Sequence, residues 1–128
     1  MDEGCVRVLL VEDDQDNREL MAEVLQANGY QVVSAASGAE GLRRLAERPV
    51  SVIVTDVGLP GMGGLEVARA ARKAAPGVPI LVVTGYTDRD DVHRARGRDV
   101  DAVLVKPVDP DELTAAVAAV LKGGAGAG

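Results

Sequence analysis

The stretch Val50-Ser51-Val52-Ile53-Val54-Thr55-Asp56-Val57-Gly58-Leu59-Pro60-Gly61 runs from β-branched apolar residues into an acid and then into a Gly/Pro turn. The apolar part reads as a buried strand over Val50–Thr55. The carboxylate of Asp56 at its tip must be paired, bind a cation or do chemistry, because burying it alone is costly. Working outward, the same arrangement recurs. Glu12 and Asp13 follow the apolar run Val8-Leu9-Leu10-Val11, Thr84 ends the run from Ile80, and Lys106 follows Ala102–Val105. Three acids, a hydroxyl and a lysine at four strand ends read as one site gathered from across the chain.

Between these runs the apolar spacing turns helical. Leu20, Met21, Val24 and Leu25 mark one face of a helix that ends at Asn28-Gly29, a left-handed cap. Val32–Ala35 is a second short strand after Val6–Val11. Ser37 and Glu40 have capping-box spacing ahead of a helix carrying Leu42 and Leu45, stopped near Pro49. A third helix spans about Gly64–Ala74 and is ended by Pro76-Gly77. The last one opens at Asp109-Pro110 and carries Leu113, Ala116, Val117, Val120 and Leu121. Thr87–Arg98 is dense in Asp and Arg, with only Val92 and Ala95 to bury, and reads as a loosely packed fourth helix. This alternation predicts an α/β fold, a doubly wound five-stranded parallel sheet with helices on both faces. In such sheets the working site lies beyond the carboxyl ends of the strands, where all these polar residues fall. Residues 1–122 form a single domain, and Gly123–Gly128 is predicted as a flexible Gly/Ala tail.

Composition narrows the function. A chain of 128 residues with no Phe, no Trp and two Tyr builds its core from Val, Leu, Ile and Ala. A net charge of −6 argues against direct nucleic-acid binding. The lone Cys5 excludes an internal disulfide and a cysteine-based zinc site. The acidic start lacks the pattern of a signal peptide, and no stretch approaches the roughly 20 apolar residues needed to span a bilayer. A cytoplasmic protein without membrane attachment is the simplest expectation. His93 and the Asp/Arg-rich run around it read as a solvated or partner-binding face.

Glu12, Asp13 and Asp56 together would repel one another unless a cation sits among them. An all-oxygen set of this kind favours a hard divalent ion, and Mg²⁺ is the usual intracellular choice. A strand-end carboxylate in such a site can attack phosphorus, with Lys106 and the Thr84 hydroxyl neutralising the phosphoryl oxygens. Lys106-Pro107, directly after a strand, is a candidate cis peptide at Pro107.

With these residues assembled, the chain resembles a receiver domain of the two-component response regulator family. Val11-Glu12-Asp13-Asp14 is similar to the family's acidic pair, Thr55–Gly64 to its phosphoacceptor segment, Val83-Thr84-Gly85 to its Ser/Thr position, and Lys106-Pro107 to its Lys-Pro. The resemblance covers about residues 5–122. It implies a flavodoxin-like strand order 2-1-3-4-5 and phosphorylation of Asp56. It further implies Mg²⁺ held by Asp13, Asp56 and the Gly58 carbonyl, with Glu12 acting through water. Lys106 would contact the phosphoryl group, and Thr84 would move toward it. The donor would be a sensor histidine kinase or a histidine phosphotransfer protein. Output would pass through the surface of the fourth helix, fifth strand and fifth helix to a protein partner, with homodimerisation on phosphorylation as one form. The family's usual aromatic three residues before the lysine is Val103 here, which leaves Tyr86 as the nearby aromatic in the switch. The position of Asp99 often holds Gly in the family, so an altered ending is expected there. Two other functions fit parts of the pattern. An aspartyl-nucleophile, Mg²⁺-dependent phosphatase would need an acid where Gly58 stands, and a receiver-like scaffold working without phosphorylation would not need the complete acidic, Thr and Lys set. The expected role is regulatory, not that of a turnover enzyme.

Overall fold

The computed structural model describes residues 6–85, 92–94 and 97–127, the stretch 123–127 in its backbone only. Five strands, β1 (Arg7–Val11), β2 (Gln31–Ala35), β3 (Val52–Asp56), β4 (Ile80–Thr84) and β5 (Ala102–Val105), form one parallel sheet in the order β2-β1-β3-β4-β5. Helices α1 (Gln15–Ala27), α2 (Gly38–Glu47) and α3 (Gly64–Ala74) and a C-terminal helix (Pro110–Ala127) cover it. The period-2 alternation of strand side chains divides the core into two layers. Leu9, Val11, Ile53 and Val82 pack with Leu45 of α2 and with Val67, Ala68 and Ala71 of α3. Val8, Leu10, Val52, Val54, Leu81 and Val83 pack with Leu25 of α1 and with Leu113, Val117 and Val120 of the C-terminal helix. Both faces are thus apolar, so the central strands read as continuous apolar runs in the sequence.

Local chemistry sets the element ends. Asp14 caps α1, accepting the Asn17 N–H at 2.9 Å. The helix ends at Asn28, followed by Gly29 at φ +91°. At α2, Ser37 Oγ accepts from Glu40 N at 3.1 Å, while Glu40 Oε1 reaches one residue beyond the expected partner, to the Ala36 N–H at 2.9 Å. β3 starts two residues later than the apolar run suggests. Ser51 is held by its own bonds to Arg7, and Asp56 becomes the strand's last residue, in register with Val83.

A further sequence-based expectation changes at the C-terminus. The C-terminal helix does not stop at Lys122 but continues through Ala127, where a flexible Gly/Ala tail is predicted. Extending an existing helix needs no new nucleus, and the interleaved Ala residues offset part of the glycine cost of about 1 kcal/mol each. The fourth helix is visible at 92–94, where Val92 is buried in the α2–α3 layer. Tyr86, Ala95 and most of the Asp/Arg-rich run lie outside the described residues. With Asp99 in place of Gly, Gly97 supplies the left-handed turn instead, at φ +91°, its N–H donating to Val100 O at 2.8 Å.

Candidate functional site

The strand order reverses between β1 and β3, so the loops after these strands diverge above a crevice. Glu12 and Asp13 leave β1 on one side of it, and Asp56 ends β3 on the other. One carboxylate oxygen from each of Glu12, Asp13 and Asp56 lies within 4.8 Å of the others. Glu12 and Asp56 are buried and Asp13 is exposed. Lys106, brought over from the end of β5, places Nζ 2.6 Å from Asp56 Oδ2. The Gly58 N–H donates to Asp56 Oδ1 at 3.1 Å. The Lys106–Pro107 peptide is cis.

The electrostatics follow from this crowding. Burial raises the Glu12 carboxyl above its ordinary value. A hydrogen bond from the Asp14 N–H opposes the rise, Asp56 adds to it, Lys106 opposes it, and Asp13 adds to it again. Partial burial works against the Lys106 ammonium, but its hydrogen bond to Asp56 and the charges of Asp56, Glu12 and Asp13 lift it above the usual lysine range. Among the described residues, three acids face one lysine, a net negative set of oxygen donors. That donor set suits a hard divalent cation and no soft metal.

Thr84 is buried at the end of β4, with its hydroxyl donating to Gly85 O at 3.0 Å. Its backbone oxygen accepts the Lys106 N–H at 2.9 Å, which ties β4 to the lysine's own peptide. Val103 is half-buried and packs against the α2–α3 layer. Among the described residues a Cβ built on Gly58 would have only Asp56 Oδ1 nearby, at 4.0 Å, which leaves that side of Asp56 open to them.

Two contributors escape the motif reading. At Gly64 a Cβ would collide with Asp56 O, so only glycine lets α3 start against the strand end that carries the acid. The paired glycines Gly63-Gly64 were the available signal. Arg18 on α1 donates from Nη1 to Glu12 O at 2.9 Å and to Asp13 O at 3.3 Å. Nothing in its spacing announced that contact.

The sequence model of the response regulator receiver domain matches residues 8–118. The chain belongs to that family. Transcriptional regulatory protein AfsQ1 of Streptomyces coelicolor is 39% identical over 117 residues, 91% of this chain and 52% of that protein. Transcriptional regulatory protein GlrR of Escherichia coli is 36% identical over 110 residues, 86% of this chain and 25% of that protein. The receiver therefore spans about half or less of the length of these curated relatives. Among solved structures, a CheY-like receiver domain protein from Methanospirillum hungatei superposes with a TM-score of 0.89 at 30% identity, covering 98% of this chain and all of that one. Response regulator TrrA of Thermotoga maritima, solved in complex with Mg²⁺ and BeF, superposes at 0.82 with 32% identity over 90% of this chain and 98% of that one. The strand order 2-1-3-4-5 is shared with this CheY-like group. Phosphorylation on an aspartate is the family's general mechanism, and its members bind Mg²⁺ at an acidic pocket. Among the described residues no helix is long and apolar enough to cross a membrane.

Proposed function

We propose that residues 1–122 form a receiver domain that accepts a phosphoryl group on Asp56 from a phosphohistidine of a sensor histidine kinase or phosphotransfer protein. The observation that carries this is Asp56 itself, buried at a strand end with Lys106 Nζ at 2.6 Å and two further carboxylates converging on it. An Asp56 oxygen attacks phosphorus, the P–N bond breaks, and the imidazole leaves with the bonding pair and takes up a proton. The product is an acyl phosphate. Lys106 balances charge on the phosphoryl oxygens, and the Gly58 N–H orients the attacking carboxylate. Asp13, Asp56 and the Gly58 carbonyl, with Glu12 through water, would hold Mg²⁺. When bound, this ion neutralises the acids and the transferred oxygens.

The added phosphoryl group brings about −1.5 to −2 charges. The Thr84 hydroxyl exchanges its Gly85 acceptor for a phosphoryl oxygen, moving the loop after β4. With Val103 in place of an aromatic, Thr84 and Tyr86 carry the switch toward the surface of the fourth helix, β5 and the C-terminal helix. That surface binds an output protein or a second phosphorylated copy. The role is regulatory and cytoplasmic, with slow self-dephosphorylation and no turnover of small phosphoesters, since Gly58 offers no acid beside Asp56.

Incubation with phosphoramidate and Mg²⁺ followed by intact mass spectrometry tests the reading. The expected result is a gain of one phosphoryl group that EDTA prevents and Asp56→Asn abolishes. A gain that survives in Asp56→Asn, or no gain in the unaltered chain, overturns it.

A further inference from the structure

The acidic loop after β1 is anchored unevenly. Glu12 is fixed three ways. Its N–H donates to Ala35 O at 3.0 Å, its Oε2 accepts from Asp14 N at 3.1 Å, and its carbonyl accepts from Arg18 Nη1 at 2.9 Å. Asp14 is fixed as the cap of α1. Asp13 lies between them with an exposed side chain. Among the described residues its one hydrogen bond is to Arg18, Nη1 to its carbonyl at 3.3 Å. Yet Asp13 is one of the three acids whose oxygens converge.

We infer that Arg18 is a positioning residue for the metal pocket: its guanidinium gathers the Glu12 and Asp13 carbonyls and so holds the Asp13 carboxylate toward Glu12 and Asp56. The inference rests on the reading that these three acids hold Mg²⁺. Arg18 acts on the peptide backbone and not on the carboxylates. A guanidinium suits this because one planar nitrogen donates to two neighbouring carbonyls from a half-buried base on α1. Its effect belongs to the preorganisation of the ligand set, as with outer partners that orient ligands in metal sites. Without it the Asp13 peptide is free to turn, and metal binding must order it first.

The test is a Mg²⁺ titration of the full chain, followed by amide NMR, in the unaltered protein, Arg18→Met and Arg18→Lys, with Arg44→Met on α2 as control. Arg18→Met is expected to raise the Mg²⁺ dissociation constant about tenfold. Arg18→Lys, which keeps an ammonium donor able to reach a carbonyl, recovers part of the loss, and Arg44→Met leaves affinity unchanged. In EDTA the Asp13 and Asp14 amide signals of Arg18→Met shift or broaden while its melting temperature stays close to that of the unaltered chain. An Arg18→Met affinity equal to that of the unaltered chain overturns the inference and leaves the metal site standing. A melting temperature that falls while Lys recovers no affinity also overturns it, by assigning Arg18 a purely structural role. An unaltered chain that binds no Mg²⁺ brings down the metal site and the inference with it.

Discussion

Asp56 and Asp101 each face a cation at nearly the same distance, 2.6 Å to Lys106 Nζ and 2.7 Å to Arg72 Nη2, from opposite ends of the same sheet. The surroundings differ. At the amino end Asp101 Oδ2 also accepts the Ile80 N–H at 2.8 Å, and Arg72 donates to Pro76 O at 3.0 Å and Val78 O at 3.1 Å. One acid meets one cation there, and most of the valences are tied to backbone. At the carboxyl end, Asp56 has, among the described residues, Lys106 and a single backbone N–H, with Glu12 and Asp13 crowding the same space. The first pair ties α3 to the starts of β4 and β5, with only Arg72 Nε left without a partner among the described residues. The second leaves an excess of negative charge that a bound cation, or a proton on Glu12, offsets. A short aspartate–cation contact therefore does not identify a working site; the balance of charge and the number of backbone partners around it do.

Removing the cation from each pair separates the two roles. Lys106→Met is expected to slow phosphorylation by small-molecule donors about 10²–10³-fold, the usual cost of losing a preorganised charge partner. Its stability in saturating Mg²⁺ should change little, because the Lys106 side chain is 39% exposed. Arg72→Met should do the reverse, lowering unfolding free energy by about 2–3 kcal/mol through lost charged hydrogen bonds. Its phosphorylation rate should be unchanged. Rapid-quench phosphorylation and urea unfolding read the two quantities. If both variants lose both properties, the distinction between the pairs collapses.

The excess charge at the carboxyl end also predicts how metal and pH act. Burial raises the Glu12 carboxyl above the ordinary carboxylate value of 4.5. A carboxyl raised in the folded state contributes stability that is fully present below pH 4.5 and lost as pH rises through its folded value. Metal-free protein should therefore lose stability on that rise, and Glu12→Gln should lose less of it. Mg²⁺ at a hundredfold excess over its dissociation constant should then restore about 2.7 kcal/mol at neutral pH. Chemical denaturation with and without EDTA across this range provides the check. A pH profile identical in the two proteins would remove Glu12 from the cluster's charge balance.

Much of this contrast was legible before any coordinates. Strand ends, caps and the placing of Glu12, Asp13, Asp56, Thr84 and Lys106 at the carboxyl ends of strands follow from apolar periodicity and the geometry of parallel sheets. The Arg72–Asp101 pair was not legible, because the partners are separated by 29 residues and carry no motif. Arg18 was hidden for a related reason. It acts on carbonyl oxygens, which every residue has, so sequence spacing cannot point to its target. The helix through Ala127 is not legible in Gly123–Gly128 alone, because its glycines extend a helix that is already nucleated upstream.

The open side of Asp56 gives a smaller effect. Among the described residues a Cβ at Gly58 meets nothing closer than Asp56 Oδ1 at 4.0 Å, so a side chain can start there without a clash with them. Gly58→Arg should lengthen the acyl-phosphate lifetime several-fold by obstructing water. Decay of the phosphorylated mass after donor removal measures it, and an unchanged lifetime would mean that water arrives from elsewhere.

The smallest effect lies at the start of α2, where a charged group has its partners and no excess. Glu40 accepts the Ala36 N–H and pairs with Arg44 at 3.3 Å. Chiefly through the Ala36 hydrogen bond, its carboxyl is held below the ordinary value. The sign is opposite to that of Glu12. Stability from Glu40 is present above pH 4.5 and lost as pH falls through its lowered value. Glu40→Gln should thus flatten the acid limb of the stability profile slightly and leave the neutral-to-alkaline region and Mg²⁺ affinity untouched. The group is partly exposed and its partners lie at the surface, so the change is a modest shift in the acid midpoint of unfolding, read by circular dichroism. A Glu40→Gln profile that instead altered the rise above pH 4.5 would mean that the caps and the acidic cluster share one electrostatic system. The contrast between saturated and unsaturated sites would then no longer hold for this fold.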